Sequence, residues 1–246
     1  MHKPYRFILF DFVNTLFLPD PEAVPTIEVE GKRVVSTAPV LKERLAQRLG
    51  HLDVLAIYRA HREAWRWVEA QRGESHKEIE ATIRFRHFLA LLGVPDADDS
   101  LVQQAVEVHM DVVTGAFRLP PEHRRLLEDL RRRFHLGILS NFDYAPALLR
   151  LLEAQGIAEW FEPVVISADI GCRKPGAEAF AAALARAPAP LEAVLHVGDT
   201  WVADVEGACG ASIDVAWINL NREAVPEQPR ATYVIENLGQ LGPLLE

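Results

Sequence analysis

The chain has 246 residues, with 26 Lys and Arg against 35 Asp and Glu, a formal net charge of −9, and 49% apolar residues. That length exceeds the ~100–150 residues of a common domain, so one large domain or a domain carrying an insertion both fit. The composition excludes a disordered chain, the acidic balance argues against a broad footprint for nucleic acid or an anionic membrane, and two cysteines cannot make a disulfide framework.

In chain order, residues 6–12 (Arg-Phe-Ile-Leu-Phe-Asp-Phe) form a near-continuous apolar run that ends at a carboxylate. Asp11 interrupts it too early for a signal-peptide core, and no later stretch is long and uncharged enough to span a bilayer. A cytoplasmic protein is therefore expected. Next, Thr26–Thr37 alternates on either side of Glu30-Gly31-Lys32, which predicts a hairpin. Helical periodicity follows at roughly 40–49, 51–71, 76–92 and 98–115. The stripe Val54, Tyr58, His61, Trp65 and Val68 marks a candidate buried face on the second of these. Trp65 and Trp67 cannot share one face. Pro120-Pro121 then signals a break.

Beyond it, short apolar runs at 135–140, 163–167 and 194–198, with weaker ones at 213–218 and 232–235, alternate with amphipathic segments. Runs that are apolar on both faces imply strands covered by helices, hence a parallel sheet. The fold class expected is α/β: a Rossmann-like parallel sheet core, interrupted by an inserted helical cap domain and a short β-hairpin flap. Residues 1–16 and 118–246 would form the core, and residues 17–117 the flap and cap.

Four segments follow predicted strands and carry the reactive side chains. They are Phe10-Asp11-Phe12-Val13-Asn14-Thr15-Leu16, Leu139-Ser140-Asn141-Phe142-Asp143, Arg173-Lys174-Pro175, and Val197-Gly198-Asp199-Thr200 with Asp204 beyond. In doubly wound sheets ligands bind at the carboxyl ends of the strands. Three carboxylates gathered there invite a hard cation such as Mg2+, and a lysine with a hydroxyl suits an anionic phosphoryl group.

In these four segments, in this order and with a helical insert after the first, the sequence resembles the haloacid dehalogenase (HAD) superfamily, with a C1-type cap. The resemblance implies a sheet order 5-4-1-2-3, Mg2+, and hydrolysis of a small phosphorylated molecule; a monomer or homodimer with no nucleic acid or membrane partner is expected. Asp11 would be the nucleophile. Ser140 and Asn141 would contact the transferring phosphoryl group, and Lys174 would hold nucleophile and phosphate together. Asp11, the main-chain carbonyl of Val13, Asp199 and Asp204 would form the metal site, with Asp204 acting directly or through water. Asn14 and Thr15 would shape the substrate-binding loop after the nucleophile.

One position departs from the family pattern Asp-x-Asp-x-Thr: Val13 stands where the second aspartate is usual. That aspartate protonates the leaving group and then activates water. A valine side chain has no exchangeable proton, and general acid–base help is worth ~10²–10⁴ in rate. The resemblance therefore implies an Mg2+-dependent phosphate-monoester hydrolase with impaired proton transfer. The alternatives are a catalytically weak protein that binds a phosphorylated ligand or a partner, or C–P or C–halogen chemistry. Two groups carry paired readings. His61 is a satisfied cap histidine or a substitute acid–base group, and Asp143 is a helix cap near Ala145 or part of the site. Arg59, Arg62, Arg66 and Arg72 line a helix as a solvated face or an anion-attracting one. Cys172 and Cys209 are expected as free thiols.

Overall fold

The computed structural model describes residues 5–224 and 230–246. The chain divides into two compact units. One comprises residues up to Leu18, Arg118–Phe142 and Leu152–Glu246; the other comprises Pro19–Phe117 together with Asp143–Leu151.

In the first unit, β1 (Phe7–Phe10) is fully buried, as its continuous apolar run requires. In the second, β3 (Thr26–Val29) and β4 (Lys32–Val35) make the expected hairpin. Glu30 and Gly31 both have positive φ, 50° and 74°. That places both central residues in the left-handed region, the geometry whose twist matches the flanking strands. The short strands β2 (Leu18–Pro19) and β5 (Phe117–Arg118) pair with each other where the chain crosses the unit boundaries.

Four helices make up most of the second unit: α1 (Ala38–Leu49), α2 (Val54–Arg72), α3 (Ala81–Leu91) and α4 (Asp99–Gly115). Asp53 and Asp98 cap α2 and α4, accepting from the amides of Ala56 and Leu101. The buried stripe of α2 differs from the one expected. It runs Ile57, Ala60, Ala64, Val68 and Arg72, because the two alanines let α2 pack against both α1 and α3. Tyr58, His61 and Trp65 consequently lie on the flank of that face.

The remaining elements complete the first unit, apart from a segment that joins the helices. They are α5 (Pro121–Leu130), β6 (His135–Ser140), α6 (Ala145–Ala154), β7 (Phe161–Ile166), α7 (Ser167–Ile170), α8 (Ala177–Leu184), β8 (Val194–Gly198), α9 (Gly207–Gly210), β9 (Asp214–Ile218), β10 (Tyr233–Ile235) and α10 (Leu241–Leu244). A π-helical turn, Trp201–Glu206, precedes α9. Asp143–Leu151, at the start of α6, clusters with the helical unit. Three interactions hold it there: Arg84 pairs with Asp143, the Ala81 amide donates to the Asp143 carbonyl, and the Tyr144 hydroxyl donates to Glu107.

The six-stranded sheet has the order β10-β9-β8-β1-β6-β7 and is parallel throughout. This is the expected 5-4-1-2-3 order of the core strands with β10 added outside β9. The core on one side gathers Phe7, Leu9, Phe180, Val194, Val215 and Trp217, each side chain of that size contributing ~1.5–3 kcal/mol on burial. Two features of the sheet position the site. Phe10 lies opposite Ile138 on one neighbour and Val197 on the other, so these strand ends are level. The chain also leaves β1 for β6 on one side and β8 on the other, the switch point where α/β sheets open a crevice. Among the described residues, no helix is long and apolar enough to cross a membrane.

Candidate active site

Asp11 is the first residue past β1, and its amide donates to the Val197 carbonyl at 2.8 Å. The chain then turns tightly. Leu16 and Phe17 amides both donate to the Phe12 carbonyl at 3.0 Å, and the Asn14 amide donates to the Phe17 carbonyl at 2.8 Å. Asn14 takes the turn with φ 63°, a conformation asparagine tolerates better than most residues. Its side chain favours the ionised form of the Asp199 carboxyl, against burial. Stacking of Phe12 on Phe17 and a hydrogen bond from His123 Nδ1 to the Leu16 carbonyl fix the loop from beneath. Thr15 is fully buried, and its Oγ1 has no hydrogen-bond partner.

Lys174 is the centre of the arrangement. Its Nζ lies 2.6 Å from Asp11 Oδ1 and 2.6 Å from Asp204 Oδ1, with all three side chains almost inaccessible. Asn141 clamps the Lys174 main chain: its Oδ1 accepts from the Lys174 amide at 2.7 Å, and its Nδ2 donates to the Lys174 carbonyl at 3.0 Å. The second-strand motif thus sets the position of the lysine loop, an arrangement its sequence does not advertise. Asp204 sits on the π-helical turn and uses both carboxylate oxygens. Oδ1 accepts from Lys174 and from His196 Nε2 at 2.9 Å, and Oδ2 accepts from the Thr200 amide at 2.9 Å. Gly198 makes this approach possible, since a Cβ there would lie 2.2 Å from Asp204 Cγ.

These side chains bound a cleft of about 400 Å³ that also includes Val13, Asn14, Ser140, Arg173 and Thr200. Every residue that the resemblance assigns to the site lines it except Thr15, which is fully buried. His196 was not among the candidates. It is fully buried in the middle of β8, and a polar residue within an apolar strand run was the one available signal for it.

The electrostatics are unbalanced. One oxygen from each of Asp11, Asp199 and Asp204 lies within 4.8 Å of the others, and the Lys174 ammonium contacts two of the three. Burial pushes the Asp11 carboxyl up to about 6, against the pull of the Lys174 charge. Burial and the Asp204 charge raise Asp199. Burial also opposes ionisation of Asp204, but Lys174 and His196 outweigh it and hold that carboxyl well below the usual range. Lys174 is raised, because the two carboxylates outweigh its desolvation. The strain falls on Asp11 and Asp199, two oxygen-donor groups with surplus negative charge. Hard divalent cations such as Mg2+ are held by such donors, so the residues present fit one.

His61 and Asp143 have partners elsewhere. Arg84, 1% exposed, donates to Asp143 Oδ2 at 2.9 and 3.2 Å and to His61 Nε2 at 3.1 Å. Asp143 therefore pairs an arginine, and among the described residues no side-chain hydrogen bond from it caps α6. Burial, then the charges of Arg84 and Arg62, lower His61 to about 3. It is neutral at physiological pH and unsuited to supplying a proton. Of the four arginines on α2, Arg72 is buried between Glu69 and Glu78, while Arg62 and Arg66 line a second cavity. Both cysteines are free.

Comparison with known proteins decides the family. Residues 5–211 match haloacid dehalogenase-like hydrolases. The chain belongs to that family. Among curated relatives, the pyrimidine 5'-nucleotidase YjjG of Escherichia coli is 34% identical over 49% of this chain, and the match spans 53% of that relative. A ribulose-1,5-bisphosphate 5-phosphatase of Halopiger xanaduensis is 24% identical over 97% of this chain and 98% of its own length. Among solved structures, a 2-haloacid dehalogenase from Pseudomonas syringae pv. Tomato aligns with a TM-score of 0.69 at 25% identity, covering 98% of each chain. This HAD-like chain is a hydrolase with phosphatase-like relatives.

Proposed function

We propose that the protein is an Mg2+-dependent phosphate-monoester hydrolase that works through an aspartyl-phosphate at Asp11, with weak proton transfer because Val13 replaces the usual aspartate. The observation that carries this reading is the buried Lys174 ammonium shared by Asp11 and Asp204, with Asp199 within 4.8 Å on the open cleft. A dehalogenase needs a carboxylate nucleophile but no surplus of oxygen donors. A phosphoryl group brings its own charge and gains from a metal site.

Asp11, Asp199 and the Val13 carbonyl would hold the cation, and Asp204, its oxygens already engaged, would orient Lys174 and accept from a metal-bound water at most. When bound, the cation would supply charge stabilisation for the phosphoryl oxygens. Lys174 would hold the Asp11 carboxylate in its ionised form and present a donor to the phosphoryl group. The Asp11 oxygen would bond to phosphorus as the ester P–O bond breaks, and the departing oxygen must gain a proton. Water would then attack phosphorus, lose a proton, and free the Asp11 carboxylate. Val13 assists neither transfer. Leaving groups that need little protonation, such as acyl phosphates, should therefore react best.

The test is phosphate release from a panel of phosphomonoesters and acyl phosphates with Mg2+, with and without chelator. Release that requires the metal and vanishes in Asp11→Asn supports the reading. Absence of release above that control across the panel, or chloride release from 2-haloacids, would remove it.

A further inference from the structure

The helical unit contains a second cavity of about 620 Å³, within the ~300–1,000 Å³ typical of small-molecule sites. Its walls are chiefly apolar and come from several segments: Val24, Val34, Val113 and Phe117, with Tyr58 and Trp65 from α2. Val35 and Trp65 also line it, and they remain 50% and 41% exposed. Isolated exposed apolar side chains are ordinary, but their grouping on one concavity marks a binding surface. The displacement of α2's buried stripe onto Ile57, Ala60 and Ala64 is what leaves Tyr58, His61 and Trp65 available to it.

Two polar groups give the cavity a preference. Arg84 has no acceptor atom, so its hydrogen bond to His61 Nε2 forces the His61 proton onto Nδ1. Among the described residues that Nδ1–H has no acceptor. Arg62 lies 6.0 Å over the Tyr58 ring and forms no ion pair among the described residues, whereas Arg66 beside it is paired with Glu63 at 3.1 Å. The one carboxylate on the lining, Asp20, accepts from the Glu22 amide. Apolar and aromatic walls, one unpaired guanidinium and one fixed donor together describe the complement of an aromatic anion.

We propose that this cavity binds a small aromatic organic anion, its ring against Tyr58, Trp65 and Phe117, its charge at Arg62, and an acceptor atom at His61. The site lies within the helical unit, and it stands or falls apart from the phosphoryl chemistry assigned to Asp11.

Fluorescence titration of the full chain with 8-anilinonaphthalene-1-sulfonate and with its uncharged counterpart N-phenyl-1-naphthylamine tests it. Both probes should saturate at one site per chain. Arg62→Gln should weaken the sulfonate about tenfold while leaving the neutral probe within about twofold, as loss of one charge-assisted contact requires. Val35→Glu, at an exposed position, should weaken both about tenfold or more. Asp11→Asn should bind both as the wild type does. Non-saturating binding, an Arg62→Gln effect equal for the two probes, indifference to Val35→Glu, or loss of binding in Asp11→Asn would each overturn the proposal.

Discussion

The Arg84 cluster of the helical unit and the Lys174 cluster of the α/β unit each bury a cation against carboxylate, and they differ in charge balance. In the helical unit Arg84 meets one carboxylate, Asp143, and its third contact is a neutral histidine. Every charge there has its opposite. In the α/β unit Lys174 faces Asp11 and Asp204, with Asp199 close by. Three carboxylates share one ammonium, and the cluster opens on a cleft. A balanced buried pair is a structural device whose disruption is costly but whose presence has no chemical consequence. An unbalanced one raises the energy of its own members and is relieved when a cation and an anionic substrate enter. That contrast separates two groups of similar composition into a strut and a site.

The contrast can be broken most severely at Asp11. Asp11→Asn removes the nucleophile and is expected to lower phosphate release ~10⁴-fold or more, whereas Asp143→Asn should leave turnover within about tenfold. A next experiment compares the two cations. Lys174→Met and Arg84→Met should each cost about 3–5 kcal/mol of stability in urea unfolding, because each strands buried carboxylate. Only Lys174→Met should also abolish activity in the protein that remains folded. If Arg84→Met abolished it equally, the strut and the site would not be separable. Val13→Asp sharpens the account in the opposite direction, with an expected gain of ~10²–10⁴ in turnover on alkyl phosphates and a smaller one on acyl phosphates.

Much of the fold was legible because its signals are local. Six apolar runs became six strands, and Asp11 and Asp199 directly follow strands whose ends the sheet register brings level, whereas Ser140 is the last residue of β6 and Lys174 lies beyond α7. The interactions that could not be read are those between residues far apart in sequence. Nothing in Asp143 points to Arg84, 59 positions earlier, and nothing in Asn141 shows that its amide would clamp Lys174, 33 positions later. The stripe on α2 was misplaced because periodicity ranks apolar bulk, while two alanines allow closer packing and win the buried face. His196 was passed over for a related reason. A lone histidine in a strand is most often a core residue, and only the fold sets its Nε2 2.9 Å from Asp204.

The pH dependence sharpens the strut further. His61 is lowered to about 3 by burial and then by Arg84 and Arg62, and His109 is lowered by burial and then by His61 and Arg84. In the unfolded chain both take up protons near the ordinary histidine value of ~6.5. The unfolded state therefore binds more protons below that pH, and stability falls on acidification from pH 6.5 toward 3, each group contributing up to ~1.4 kcal/mol per pH unit. His61→Gln should make that slope shallower in acid-unfolding curves; an unchanged slope would mean His61 is not held neutral. The smallest effect is expected at His196→Gln. An amide can retain the bond to Asp204, so a stability change within ~1 kcal/mol is predicted, with metal affinity as the more sensitive readout.

The central claim is that Asp11 forms a covalent phosphoryl intermediate and that Val13 slows its breakdown. Incubation with acetyl [32P]phosphate and Mg2+, followed by acid quenching, measures this directly. The account predicts label retained on the wild-type chain at close to one per molecule, reduced in Val13→Asp as turnover rises, and absent in Asp11→Asn. Metal-dependent phosphate release with no label on the wild type, or equal labelling of Asp11→Asn, would contradict it.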